Sequence, residues 1–117
     1  MALRKERVDR KIRSREEIKS VFERGKRVKK EYFDLIFVKN DSSFARFGII
    51  AGRKCGNAVE RNYLKRIFRE IIFNQKAEYR IPVDFLVVLK SDSKKGIFSK
   101  IRDEFNSSIQ KIISQFT

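Results

Sequence analysis

Apolar side chains return along the chain at helical spacing in three places, at alternate positions in two, and as one unbroken run near residue 87. Ser14 and Glu17 have the S-x-x-E form of a capping box, Ile18, Val21 and Phe22 follow at helical spacing, and Gly25 stands where a C-terminal cap belongs. This predicts a helix over 15–24. From Tyr32 to Val38, alternation puts Phe33, Leu35 and Phe37 on one face and Tyr32, Asp34, Ile36 and Val38 on the other, as in a strand. Asn40-Asp41-Ser42-Ser43 reads as a turn, after which Phe47, Ile49 and Ala51 alternate with Arg46, Gly48 and Ile50. The two strands are therefore expected to form a hairpin.

Gly52 and Gly56 bracket Arg53-Lys54-Cys55, and Asn57 with Glu60 repeats the cap pattern, opening a helix that runs to about Asn74 with Leu64, Ile67, Phe68 and Ile71 as its apolar stripe. After Pro82, Phe85 to Leu89 reads as a short buried strand. Ile97, Ile101, Phe105, Ile109, Ile112 and Phe116 mark a closing helix. The order α-β-β-α-β-α predicts an α+β fold, a two-layer α/β sandwich, formed by residues 1–117 as a single domain with residues 1–13 as a basic, flexible tail.

Composition sharpens this picture. The chain has 117 residues, 41% of them hydrophobic and 11 of them Phe, enough for one core. With no His and one Cys it has no zinc cluster, no disulfide framework within one chain and no Ser-His or Cys-His pair. Cys55 is expected to be a small core residue. Neither a signal-like apolar segment nor a run of about 18 apolar residues occurs, so a cytoplasmic protein with no membrane partner is expected.

The net charge is +14, and it is unevenly placed. Residues 1–30 carry +8 and residues 53–70 carry +4, while 31–52 is close to neutral. Two basic blocks around an apolar segment are the footprint of a polyanion-binding protein, although charge for solubility gives the same total. At 100° per residue, Arg61, Asn62, Lys65, Arg66 and Arg69 fall within an arc of roughly 140°, opposite Leu64, Ile67, Phe68 and Ile71. Only Glu60 and Glu70 lie nearby, so the usual i,i+4 neutralisation is missing. The 15 carboxylates form no D-x-D or D-x-x-E cluster, and no catalytic residue is expected in this chain.

The stretch Gly56-Asn57-Ala58-Val59-Glu60-Arg61-Asn62-Tyr63-Leu64-Lys65-Arg66-Ile67-Phe68-Arg69-Glu70 resembles the G-N-A-V-x-R-N-x-x-K-R-x-x-R-E signature of the protein subunit of bacterial ribonuclease P. The flanking chain follows that family's order over about residues 8–115, with Phe22-Glu23-Arg24-Gly25-Lys26, Arg46-Phe47-Gly48 and Asp84-Phe85-Leu86-Val87-Val88 in place. The resemblance implies a left-handed β-α-β crossover shared with a domain of a ribosomal protein. It further implies an accessory subunit whose partners are a catalytic RNA and precursor tRNA. The RNA removes the 5′ leader with bound Mg2+, and the protein alone holds no cofactor or metal.

By the same resemblance, Arg61, Asn62, Lys65, Arg66 and Arg69 contact the RNA subunit, while Ile18, Phe22, Ile36, Arg53, Lys54 and Lys90 line a cleft for the single-stranded leader. Three positions depart from the family's pattern: Ile18 stands where an aromatic is common, Ile36 where some members carry Tyr, and Gly52 where Ser or Lys is frequent. Spacing alone allows Ile18 and Phe22 to be either core or stacking surface. The alternative to the accessory subunit is a ribosomal or other structural RNA-binding protein of the same fold. It accounts for the charge but not for the signature.

Overall fold

Ser14 starts the first helix, α1 (Arg15–Arg24), its hydroxyl accepting from the backbone N–H groups of Glu16 and Glu17 at 3.2 and 3.3 Å. The expected capping box is only half formed, because the Glu17 carboxylate turns away to Arg46 at 2.7 Å. Gly25 ends the helix, but with φ −78° it is not a left-handed cap. Its role is steric: a Cβ there would lie 2.5 Å from both Ile36 Cγ2 and the Val21 carbonyl oxygen. A side chain would push the helix off the sheet.

The computed structural model describes residues 11–12, 14–73, 80–91 and 98–116. After α1 come β1 (Lys26–Lys29), β2 (Phe33–Lys39), β3 (Arg46–Ile50), a 3-10 turn (Arg53–Cys55), α2 (Ala58–Phe73), β4 (Val83–Leu89) and α3 (Phe98–Phe116). The fold is α+β, and the order is α-β-β-β-α-β-α. The added element is β1, whose sequence Lys-Arg-Val-Lys carries no apolar alternation. It is an edge strand that exists through antiparallel pairing with β2. Asn74 and Ile97, expected at the helix ends, lie outside the described residues, as does most of the basic segment 1–13. At the end of that segment, Ile12 is buried and its N–H donates to the Phe47 carbonyl at 3.0 Å.

The expected hairpin between β2 and β3 does not form. The sheet order is β1-β2-β4-β3, so β4 lies between them, antiparallel to β2 and parallel to β3. Burial supplies the reason: Val83 to Val87 are all at most 6% exposed, and a strand covered on both faces belongs at the centre. The Asn40 turn serves that arrangement. Its side-chain amide donates to Asp84 Oδ1 at 2.7 Å and to the Phe44 carbonyl at 3.2 Å, binding the loop to β4. The connection β3-α2-β4 is the β-α-β unit.

One face of the sheet carries Phe33, Leu35, Phe37, Phe47, Phe85, Val87 and Leu89 against Leu64, Phe68, Ile71 and Ile72 of α2 and Ile101, Phe105, Ile109 and Ile112 of α3. Phe47 and Phe85 stack with ring centroids 4.9 Å apart, and Phe33 meets Phe68 edge-on at 5.7 Å. The opposite face carries a smaller cluster, where α1 sets Val21 on Ile12, Ile36 and Leu86. Cys55 is buried in the larger core, its thiol 3.4 Å from the Lys90 carbonyl oxygen and 3.5 Å from that of Leu89.

Candidate nucleic-acid interface

The start of α2 explains the glycine and the asparagine of the signature, together with Glu60 between them and the basic arc. Asn57 Oδ1 accepts from the Glu60 N–H at 2.9 Å while Glu60 Oε1 accepts from the Asn57 N–H at 3.0 Å, a complete reciprocal cap. Gly56 precedes it at φ 123°, and a Cβ there would sit 2.5 Å from Glu60 Oε1. Glycine is required both by the backbone and by the cap.

The cap fixes how α2 is rotated. Leu64, Phe68, Ile71 and Ile72 face the core, and Asn62, Arg66 and Arg69 face solvent, with Arg61 and Lys65 half-buried on the flank. Among the described residues, none of these five polar side chains holds an ion pair or a side-chain hydrogen bond. Arg61 Nε is buried and has no acceptor. Four cations in three turns, unneutralised on a rigid helix, offer their hydrogen-bond donors to an external polyanion.

The second surface is the α1 face of the sheet, where cross-strand partners share a side. One row reads Arg27, Ile36, Leu86 and Gly48, and the next reads Lys29, Asp34, Val88 and Ile50. Ile36 and Leu86 in the first row are at most 2% exposed beneath α1, whereas Val88 and Ile50 in the second are half-buried. The open second row is the floor of a cleft with α1 as its wall. Phe22 is 40% exposed and Ile18 half-buried on α1, because Val21 is the side chain that enters the core.

Ile36 departs from its expected place. It is 2% exposed, enclosed by Ile12, Val21 and Leu86, and so supports α1 from below without reaching a ligand. Arg53 and Lys54 are exposed, and Cys55 sets their turn beside the end of β4, bringing them near Lys90. Gly52 has nothing within 4 Å of the position a Cβ would take, so a side chain there would enter open space.

Lys90 is half-buried, and its ammonium lies 3.1 Å from Asp34 Oδ1 and donates to the Lys30 carbonyl. Arg27 Nε reaches Asp34 Oδ2 at 3.0 Å. Farther along this face, Arg46 forks onto Asp84 with bonds of 2.9 and 2.7 Å, besides its contact with Glu17. The Asp84 hydrogen bond holds the Arg46 guanidinium above the ordinary arginine value, against desolvation and with help from Glu17. A raised cation pKa keeps the guanidinium charged until the pH rises through that value, so the arginine's side of the pair does not change around neutrality.

Sequence reasoning missed Arg27, Asp34, Glu17, Arg46 and Asp84 as partners. Their one local sign was a polar residue breaking an apolar alternation, at Asp34 and Arg46. Among the described residues, no group of three or more His, Cys, Asp or Glu is placed to hold a metal ion. Nor is any described helix long and apolar enough to cross a membrane.

The Ribonuclease P family model matches residues 7–113. The ribonuclease P protein component of Petrotoga mobilis is 34% identical over 105 residues, 86% of this chain and 89% of the relative. That of Thermotoga maritima is 32% identical over 105 residues, 86% of this chain and 90% of its own. The chain belongs to the ribonuclease P protein family. Among solved structures, the ribonuclease P protein of Staphylococcus aureus superposes with a TM-score of 0.77 at 25% identity, over 94% of this chain and all of that one, 100%. The ribonuclease P protein of Thermotoga maritima gives 0.75 at 29% identity, over 90% and 97%. As a ribonuclease P protein, the chain works with an RNA subunit in the endoribonuclease that processes tRNA 5′ ends. The structural-RNA alternative is not favoured by these matches.

Proposed function

We propose that the two basic surfaces divide the work of this subunit within a single RNA-binding domain. The solvent face of α2, with Arg61, Asn62, Lys65, Arg66 and Arg69, docks on the catalytic RNA. The cleft between α1 and the sheet receives the single-stranded 5′ leader of precursor tRNA, with Phe22 and Ile18 as its apolar wall and Arg53, Lys54 and Lys90 at its edge. Unpaired nucleotides of varied sequence suit a surface that combines an exposed ring with cations.

The observation that carries this reading is that, among the described residues, none of the α2 cations holds an ion pair, whereas Arg27, Arg46 and Lys90 at the sheet are paired with Asp34 and Asp84. Hydrolysis belongs to the RNA subunit with its Mg2+. Among the described residues, the carboxylates on the sheet are taken up by cations: Asp34 is held by Arg27 and Lys90, and Asp84 and Glu17 by Arg46. A subunit that acts on precursor tRNA is expected in the cytoplasm.

The test is reconstitution at low magnesium: the catalytic RNA alone, with this protein, and with Arg66→Ala. The protein is expected to raise cleavage of leader-bearing precursor, and Arg66→Ala to require more protein for the same rate while its circular dichroism stays unchanged. Cleavage by the protein without RNA, or no stimulation of the RNA, would contradict the proposal.

A further inference from the structure

Four large hydrophobic side chains are exposed among the described residues: Phe22, Val59, Tyr63 and Phe98. Phe22 belongs to the cleft wall, and Phe98 has the Arg102 guanidinium over its ring at 6.0 Å. Val59 and Tyr63 remain, 77% and 58% exposed, one turn apart on α2. Single exposed apolar residues are ordinary, but these two are contiguous, and they border the basic arc. At 100° per residue, Val59 and Tyr63 stand roughly 20° and 60° beyond Arg66, and Tyr63 and Arg66 are i,i+3 neighbours. Among the described residues, Tyr63 makes no ring contact and no side-chain hydrogen bond.

Tyr63 also occupies one of the variable positions of the signature, so the motif gives it no role. A partner that matches unpaired cations and a flat apolar ring together, one turn apart on a rigid helix, must present phosphate and an aromatic face at that pitch. We infer that Tyr63, flanked by Val59, stacks on one unpaired nucleobase of the catalytic RNA, beside the phosphates held by Arg66 and Arg69. An unpaired base is needed because the faces of a base inside a duplex are already covered by its neighbours. Charge complementarity selects RNA as the occupant, and the choice of the catalytic RNA rests on the docking of α2 proposed above.

The experiment measures affinity of the full chain and its variants for the catalytic RNA alone across a salt titration. Tyr63→Ser is expected to bind roughly tenfold more weakly at every salt concentration, the scale of one base–aromatic stack. Its slope of log affinity against log salt is expected to match that of the unaltered protein, since no counterion is released by stacking. Tyr63→Phe keeps the ring and is expected to bind normally, with circular dichroism confirming the fold of both variants.

Unchanged affinity for Tyr63→Ser would overturn the inference. So would an equal loss for Tyr63→Phe, which would assign the contact to the hydroxyl. A loss seen only in precursor tRNA binding, or a change in oligomeric state with RNA affinity intact, would give the ring to another partner and overturn it equally. Arg66→Ala in the same titration separates the two levels of the argument. If it neither weakens binding nor flattens the slope, the docking of α2 fails. If it does both while Tyr63→Ser binds normally, only the stacking role falls.

Discussion

The cations of α2 and those of the sheet face under α1 behave as two different materials. On α2, Asn62, Arg66 and Arg69 face solvent, Arg61 and Lys65 flank them, and none is neutralised within the described residues. On the sheet, Arg27 and Lys90 share Asp34, and Arg46 is shared by Asp84 and Glu17. A formal charge therefore overstates what the sheet offers to a phosphate and describes the helix faithfully. If the cleft takes the leader as proposed, its shape, the Phe22 ring and the exposed side chains of Lys29, Arg53 and Lys54 are left to carry affinity. The paired cations hold the cleft in shape.

The comparison breaks first if α2 is not rotated as described. Leu64 is 3% exposed, so Leu64→Ala is expected to destabilise the protein by about 2–5 kcal/mol in denaturant unfolding, while Arg66→Ala leaves the midpoint where it was. Next, if the sheet cations are structural, Arg46→Ala leaves the Asp84 carboxylate, 9% exposed, with little besides Asn40. A loss of about 3 kcal/mol is expected, near the low end for breaking a buried pair. An unchanged melting temperature would show that Arg46 is spare charge after all.

Phe22→Ala sharpens the contrast from the other side. It is expected to lower affinity for leader-bearing precursor tRNA by roughly 1–3 kcal/mol and leave mature tRNA nearly unaffected. The melting temperature is expected to hold, because the ring is 40% exposed. Equal losses for both RNAs would remove Phe22 from the cleft. The smallest effect is expected of Glu17→Gln. Its exposed contact with Arg46 contributes below about 1 kcal/mol, and the variant checks that α1 is held mainly by Val21 and not by this ion pair.

Much of α2 was legible in the sequence because its information is local. Fifteen residues contain the cap, the apolar stripe and the basic arc, and one helical period relates them. The sheet was less legible because its partners are distant in the chain: Arg46 and Asp84 are 38 residues apart, and Asn40 and Asp84 are 44 apart. Alternation assigned Ile36 to a face but did not say that α1 would close over it. The hairpin was misread for the same reason. A turn cluster between two strands signals a reversal locally, whereas the insertion of β4 depends on its burial from both sides. Lys26 to Lys29 shows the limit again, since an edge strand with one inward apolar residue, Val28, has no pattern to detect. Spacing left Phe22 undecided between core and surface, and packing leaves its ring 40% exposed, because Val21 takes the inward position.

The central claim, that charge is available on α2 and largely spent on the sheet, is tested most directly by two salt slopes measured on one protein. The first is for binding to the catalytic RNA. Four cations meeting four phosphates give a slope of about −3 and an affinity that falls about a hundredfold between 50 and 200 mM salt. The second is for the affinity gained when precursor tRNA replaces mature tRNA on the holoenzyme. With Lys29, Arg53 and Lys54 the cleft cations that hold no ion pair among the described residues, that increment is expected to have a shallower slope. Equal slopes, or a steeper one for the leader, would contradict the account.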